Sequence, residues 1–250
     1  TDDQNGGTYE KEFSITVTDN SPPAPDTDGT ITAAAGVTEP VNIPSTVNSY
    51  GTAIDLFDFT LTDGGGGDGL PMNIIALGIS VTGTSTAAER SQVTWVLNGP
   101  DAASVTGTYD DQSGRIVFGN LTISVADGGN EDYTISGYFN DNTSLTEGHT
   151  FILSIDKTGA VTGPTSTNID DISPVTNQGG TAIDITATQL VFTTSPSGSV
   201  SGSPLQTQPV FAAQDNTGNT DVDFSETITL THNGAGSLTN NTQAASGGVA

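Results

Sequence analysis

Cysteine is absent from the 250 residues. That excludes disulfides, thiol catalysis, cysteine-ligated zinc and iron–sulfur clusters. Basic side chains are almost as scarce. Lys11, Arg90, Arg115 and Lys157 stand against 29 acidic residues, for a formal net charge of −25. A chain so poor in Lys and Arg cannot displace counterions from a nucleic acid or hold an anionic membrane surface, so neither is expected as a partner. No apolar run approaches the roughly 18 residues that signal a spanning helix, and no membrane insertion is expected. Aromatics make up 6% of the chain, with a single Trp, and hydrophobic residues 33%. Any core is therefore thin and built from strands. Imidazole is confined to His149 and His232. Neither has a nucleophile motif beside it, so no Ser–His–acid constellation is legible. Paired carboxylates for glycoside cleavage are the enzyme option that composition permits. The acids, however, cluster with Gly and Asn in the manner of turns, and no enzymatic activity is expected.

What the chain has instead is punctuation, with 31 Gly and 12 Pro. Between the punctuation lie short runs with apolar residues at every second position, such as Leu121, Ile123 and Val125. That period predicts half-buried strands. Candidates cover 30–34, 53–61, 73–81, 92–97, 104–109, 115–118, 121–125, 132–139 and 150–155, with turn clusters between them at the spacing of a β-sandwich. Sustained helical periodicity is nowhere found; TAAERS at 86–91 allows one helical turn at most. Phe13, Ile15 and Val17 alternate as a further strand, followed by the Pro-rich linker SPPAPDTDG at 21–29. A second joint, rich in Thr, Ser, Pro, Asn and Gly, is expected over 158–180. In QVTWVLNG, Val93, Trp95 and Leu97 share one face, which places Trp95 in a core rather than on a sugar platform.

Residues 187–230 carry three more strand-like runs, 189–193, 208–213 and 224–230. Their segments ATQLVFTTSPSG and QPVFAAQDNTGN resemble the tandem Ig-like repeats of large bacterial extracellular surface proteins. The run FSITVTD before a Pro-containing joint resembles the last strand of a cadherin-like repeat. The fold class expected is all-β: tandem antiparallel β-sandwich modules of Ig-like type joined by short Pro/Gly/Asp-rich linkers. Its divisions are a terminal or donor strand over 1–20, a linker over 21–29, a large sandwich over 30–186 and an Ig-like module over 187–250 that is incomplete at its C-terminal end. The resemblance implies a stalk or scaffold of adhesin type, at the bacterial cell surface or outside the cell. Its partners would be neighbouring repeats or subunits of the same protein, and surface glycans or matrix. Two other functions remain open: a filament subunit assembled by β-strand complementation, and a carbohydrate-binding accessory module of a secreted enzyme. The chain is expected to be a slice of a longer array, since the strand near its start and the module near its end both need a neighbour.

The acidic excess has two readings, mutual repulsion along an extended molecule or binding of a divalent cation through oxygen ligands. Calcium is the cation expected. The leading candidate ligands are Asp58, Asp63 and Asp68, around four consecutive glycines whose backbone can turn its carbonyls inward. Asp19, Asp26 and Asp28, with Asn20, form a second set at the Pro-rich linker. Asp215, Asn216, Asn219, Asp221 and Asp223 form a third, in which Asp215 and Asn219 are read as serving a hairpin turn. Asp127, Glu131 and Asp132 form another, and Asp141 to Glu147 is a similar stretch; each is equally well an ordinary exposed turn.

Overall fold

A computed structural model describes residue 14 and residues 27–250, apart from 66, 67, 171, 172, 199 and 236. The strand expected over 13–18, most of the linker 21–29, and Asp19 and Asp26 lie outside the described residues. Within them the chain is all-β apart from one short α-helix and one turn of 3-10 helix. Strands β1 (Thr30–Ala33), β2 (Ile43–Pro44), β3 (Ile54–Thr62) and β4 (Met72–Thr82) come first. After the helix α1 (Ala87–Gln92) follow β5 (Val93–Gly99), β6 (Ala102–Asp110), β7 (Arg115–Phe118) and β8 (Ile123–Val125). Then come β9 (Asn130–Phe139), β10 (Thr150–Ile155), β11 (Ala160–Thr162), β12 (Val175–Thr176) and β13 (Thr181–Asp184). These thirteen strands form one sheet, in the order β1-β3-β9-β5-β6-β7-β4-β10-β13-β2, with β8 and β11 also on β4 and β12 on β10.

β6 links the two halves of the curled sheet. Its first part pairs with β5, where Gly107 faces Trp95, and its last three residues pair with β7. Gly107 makes the crossing possible. A Cβ there would lie 2.6 Å from the ring of Phe118 and 2.7 Å from Ile116, so a glycine stands where the strand passes close over the core. Residues from both ends of the curl share one core: Phe57, Phe59, Trp95 and Tyr133 with Ile79, Phe118, Phe151 and Leu153. Alternation builds it. In β10, Phe151, Leu153 and Ile155 are buried and the residues between them are not, the period of a strand with one face inward. Trp95 is fully buried. It packs edge-on against Phe151 at 5.5 Å between ring centroids, and its indole N–H donates to the Arg90 carbonyl at 3.0 Å.

The helix is longer than the single turn expected. Thr86 and Glu89 form a capping box that closes its N-terminus, satisfying donors that would otherwise end so short a helix. The stretch 158–180 is not a joint but part of the sheet. It supplies β11, which pairs with β4, and β12, which pairs with β10.

Beyond residue 186 the architecture thins. β14 (Gln189–Thr194) and β15 (Val210–Gln214) form an antiparallel pair, and β16 (Thr227–Thr229) pairs with β17 (Thr242–Ala244). The chain's last residues lie along the other edge of β15, where Phe211 and Ala250 exchange backbone hydrogen bonds of 2.7 and 3.1 Å. The buried apolar residues are few here: Phe211, Ala212, Ala213, Ile228 and Ala245.

Candidate functional site

The connection from β13 to β14 is four residues long, and its amides are all engaged. The Ile185 N–H donates to Glu147 Oε2 at 2.8 Å, Thr186 to Ser45 Oγ at 3.2 Å and Ala187 to Asp221 Oδ2 at 2.9 Å. Thr188 donates to the Gln214 carbonyl at 2.8 Å. Backbone groups seldom stay unpaired once shielded from water, but a flexible linker would satisfy them with solvent. Here they are satisfied by side chains from both flanks. Glu147 and Ser45 belong to the large sheet's loops, and Asp221 to the loop after β15.

Two turns meet beside this connection. Asp215 is 1% exposed and organises the turn after β15. Its Oδ1 accepts the N–H groups of Thr217 and Asn219, each at 3.0 Å, and its Oδ2 accepts Asn219 Nδ2 at 2.8 Å. Burial pushes the Asp215 carboxyl up, but the bonds from Asn219 and Thr217 outweigh it and hold the group below the usual carboxylate range. Asn219 then reaches across. Its Oδ1 accepts the Leu145 N–H at 3.0 Å and its Nδ2 donates to the Asn142 carbonyl at 2.6 Å. Thr217 Oγ1 donates to the same carbonyl at 3.0 Å. Asn142 in turn donates from Nδ2 to the Ser45 carbonyl at 3.1 Å. One buried amide thus ties the loop before β10 to the loop after β15.

Acids collect at the same place. Glu147, Asp184 and Asp223 each place a carboxylate oxygen within 4.8 Å of the other two. Burial raises the Glu147 carboxyl most; the Ile185 N–H lowers it, while the charges of Asp184, Asp223 and Asp221 raise it further, to about 7. Asp223 is raised by its hydrogen bond with Asp221 and by that residue's charge. The charges of Asp184, Asp221 and Asp223 all act on Glu147 with the same sign. Protonation relieves that repulsion, and so does a cation held by oxygen ligands.

Most of the residues singled out from sequence lie away from this group. Asp58 lies in β3, 4% exposed, and its Oδ2 accepts the N–H groups of Gly36 at 2.5 Å and Val37 at 2.8 Å. It fastens a loop. Asp63 follows the same strand five residues later, about 16 Å along an extended chain and on the opposite face, so the two are not brought together. Asp68 spends Oδ1 on the Leu70 N–H at 2.8 Å and Oδ2 on the Thr167 hydroxyl at 3.0 Å. Asp28 packs against Gly64. None of these is in the close group at the joint, which draws instead on Glu147, Asp184 and Asp223. Asp223 carried a sequence signal through its acid-rich loop, and Glu147 through the Asp141 to Glu147 stretch. Asp184 carried none, because it sits at the end of a strand.

His149 is partly exposed and its ring is tied to a buried acid. Its Nδ1 lies 2.9 Å from Oε2 of Glu89, which is 2% exposed. Glu89 also accepts the N–H groups of Thr86 and Thr146, at 2.7 and 3.0 Å. Burial raises the Glu89 carboxyl, and these bonds together with His149 outweigh it, leaving it lowered. The pair pins α1 to the loop before β10. His232 is exposed and follows β16. Trp95, being fully buried, offers no platform for a sugar. Among the described residues, no helix is long and apolar enough to cross a membrane. No protein-family model matches the chain, and no curated protein is significantly similar to it.

Proposed function

We propose that the chain is a non-catalytic structural segment of a bacterial surface protein, a stalk or scaffold outside the cell built from tandem β-sandwich modules. The hydrogen-bonded joint carries this reading. A stalk must hold its units at fixed angles, and the four consecutive amides of 185–188 plus the Asn219 bridge are the means of doing so. Calcium bracing is part of the proposal, at Glu147, Asp184 and Asp223, where oxygen ligands of one sign meet between the two units. Small-angle scattering of the wild type and of Asn219→Ala is the test. The expected result is a single rigid shape for the wild type and a broadened distribution for the variant. Two freely hinged bodies in the wild type would overturn the reading.

A second reading, filament assembly by strand addition, has its own observation. Among the described residues β14 pairs with β15 alone, and its Leu190 and Phe192 are 48% and 51% exposed. An open, uncharged edge of that kind is a template for another strand. Sedimentation showing monomers at every concentration would remove it.

A further inference from the structure

Asp63 is 1% exposed, and its Oδ2 is shut off from water with no hydrogen-bond partner. A buried polar oxygen with nothing to accept from is costly, and such groups in native proteins usually have an ordered water or ion. The surroundings favour an ion. Asp63 Oδ1 accepts the Gly65 N–H at 3.3 Å, so the carboxylate folds back over the turn formed by residues 63–65. Two further acids lie against the same turn. A Cβ on Gly64 would stand 2.9 Å from the Asp28 carbonyl oxygen and 3.1 Å from its Oδ2, and one on Gly65 would stand 3.7 Å from Asp127 Oδ1. The loop bearing Asp127 is fixed there because the Asp63 N–H donates to the Gly129 carbonyl at 2.9 Å. Gly65 has φ of +66°, a conformation that a side chain disfavours. The glycines therefore let three acids and a carbonyl approach one turn.

We infer that Asp63 Oδ2 ligates a divalent cation, calcium by its all-oxygen donor set, seated on the 63–65 turn with Asp28 and Asp127 beside it. The three carboxylates stand farther apart than those of Glu147, Asp184 and Asp223. Carboxylates that far apart cannot all bond one ion at calcium's roughly 2.3–2.6 Å. Asp63 is therefore the direct ligand, and Asp28 and Asp127 act through their charge. Calcium's variable coordination accepts such a shell, whereas magnesium demands close octahedral ligation. The site is separate from the joint and does not depend on the stalk reading.

Calorimetric titration of the full chain with calcium, and with magnesium for comparison, tests this on the wild type and three variants. Asp63→Asn is expected to lose a calcium-binding event that Glu147→Gln keeps. Asp127→Asn, on an exposed residue, is expected to weaken that event about tenfold, the scale on which neighbouring groups tune a metal site. Should Asp63→Asn fail to fold, Asp127→Asn decides alone. Unchanged calcium affinity in Asp127→Asn, identical titrations of Asp63→Asn and wild type, or no calcium heat in the wild type would each overturn the inference. Loss of rigidity on scattering, with the Asp63 event intact, would count against the stalk reading alone.

Discussion

The sheet of β1 to β13 and the segment from β14 onward are held by different forces. The first has a continuous apolar core, with Trp95, Tyr133 and five phenylalanines each fully or almost fully buried. Burying a side chain of that size stabilises by about 1.5–3 kcal/mol, and the sheet has many. The second buries few apolar groups and leaves Leu190, Phe192, Val200 and Val222 largely exposed. Its order comes from polar bonds in turns, Asp215 and Asn219 above all, and from docking on the larger body. One region can stand on burial; the other leans on a joint.

Breaking each region at its own support should give the largest contrast. Trp95→Ala removes the central side chain of the core, and such truncations cost about 3–5 kcal/mol. That is a large share of the stability of an ordinary domain. Urea unfolding followed by circular dichroism is the measurement, since the chain has one Trp and the variant none. A shift below about 1 kcal/mol would mean that the core is not where the sheet's stability lies. Asn219→Ala should leave that transition in place and act on the joint. It strands the Leu145 N–H, at about 1–3 kcal/mol for a group left buried and unpaired, while the Asn142 carbonyl keeps the Thr217 hydroxyl. The expected readout is protease cleavage near 185–188 in the variant at concentrations that spare the wild type.

A smaller effect separates the joint by pH. The Glu147 carboxyl is raised from 4.5 to about 7 in the folded chain. The folded state therefore holds a proton that the unfolded state has released, so the group's contribution is full below about pH 4.5 and is lost as pH rises through about 7. Asp223 shifts in the same direction. The lowered groups Glu89 and Asp215 act oppositely, and below about pH 5. Between pH 5 and 8 the unfolding free energy should fall by on the order of 1 kcal/mol, discounted for the solvent that reaches Glu147, which a series of thermal melts reads. Glu147→Gln should flatten the slope. If calcium sits at the joint, it should restore stability at pH 8 in the wild type and less in the variant.

Sequence pattern reached the core more readily than the joint. β9 and β10 announce themselves by alternation, whereas TAAERS allows one helical turn on pattern and the capping box of Thr86 and Glu89 carries it further. The two-residue strands Ile43–Pro44 and Val175–Thr176 carry no period at all; they exist because a long neighbour offers free backbone groups. Asp63 was legible as an acid beside glycines, but its companions Asp28 and Asp127 come from distant turns, and pairing of that kind is fixed by strand order. Asn219 reads in sequence as a turn residue, which it is. That its amide also crosses to Leu145 and Asn142 follows only from where the turn docks. Glu147 and Asp184 meet for the same reason, since β13 lies against β10.

The smallest expected change in stability lies at the free edge. Phe192 lies against Phe211 with ring centroids 4.1 Å apart and planes tilted by 38°, yet remains half exposed. Its replacement by Ser should cost about 1 kcal/mol or less, since little area leaves burial and surface changes are usually mild. Association is where it should matter. β14 carries no charged residue between Gln189 and Thr194, so nothing along it repels an incoming strand. Sedimentation of wild type and Phe192→Ser over a range of concentrations compares them directly. A wild type that associates and a variant that does not would place the contact on β14. Equal association in both would move it elsewhere, and the thin region would then be exposed without being adhesive.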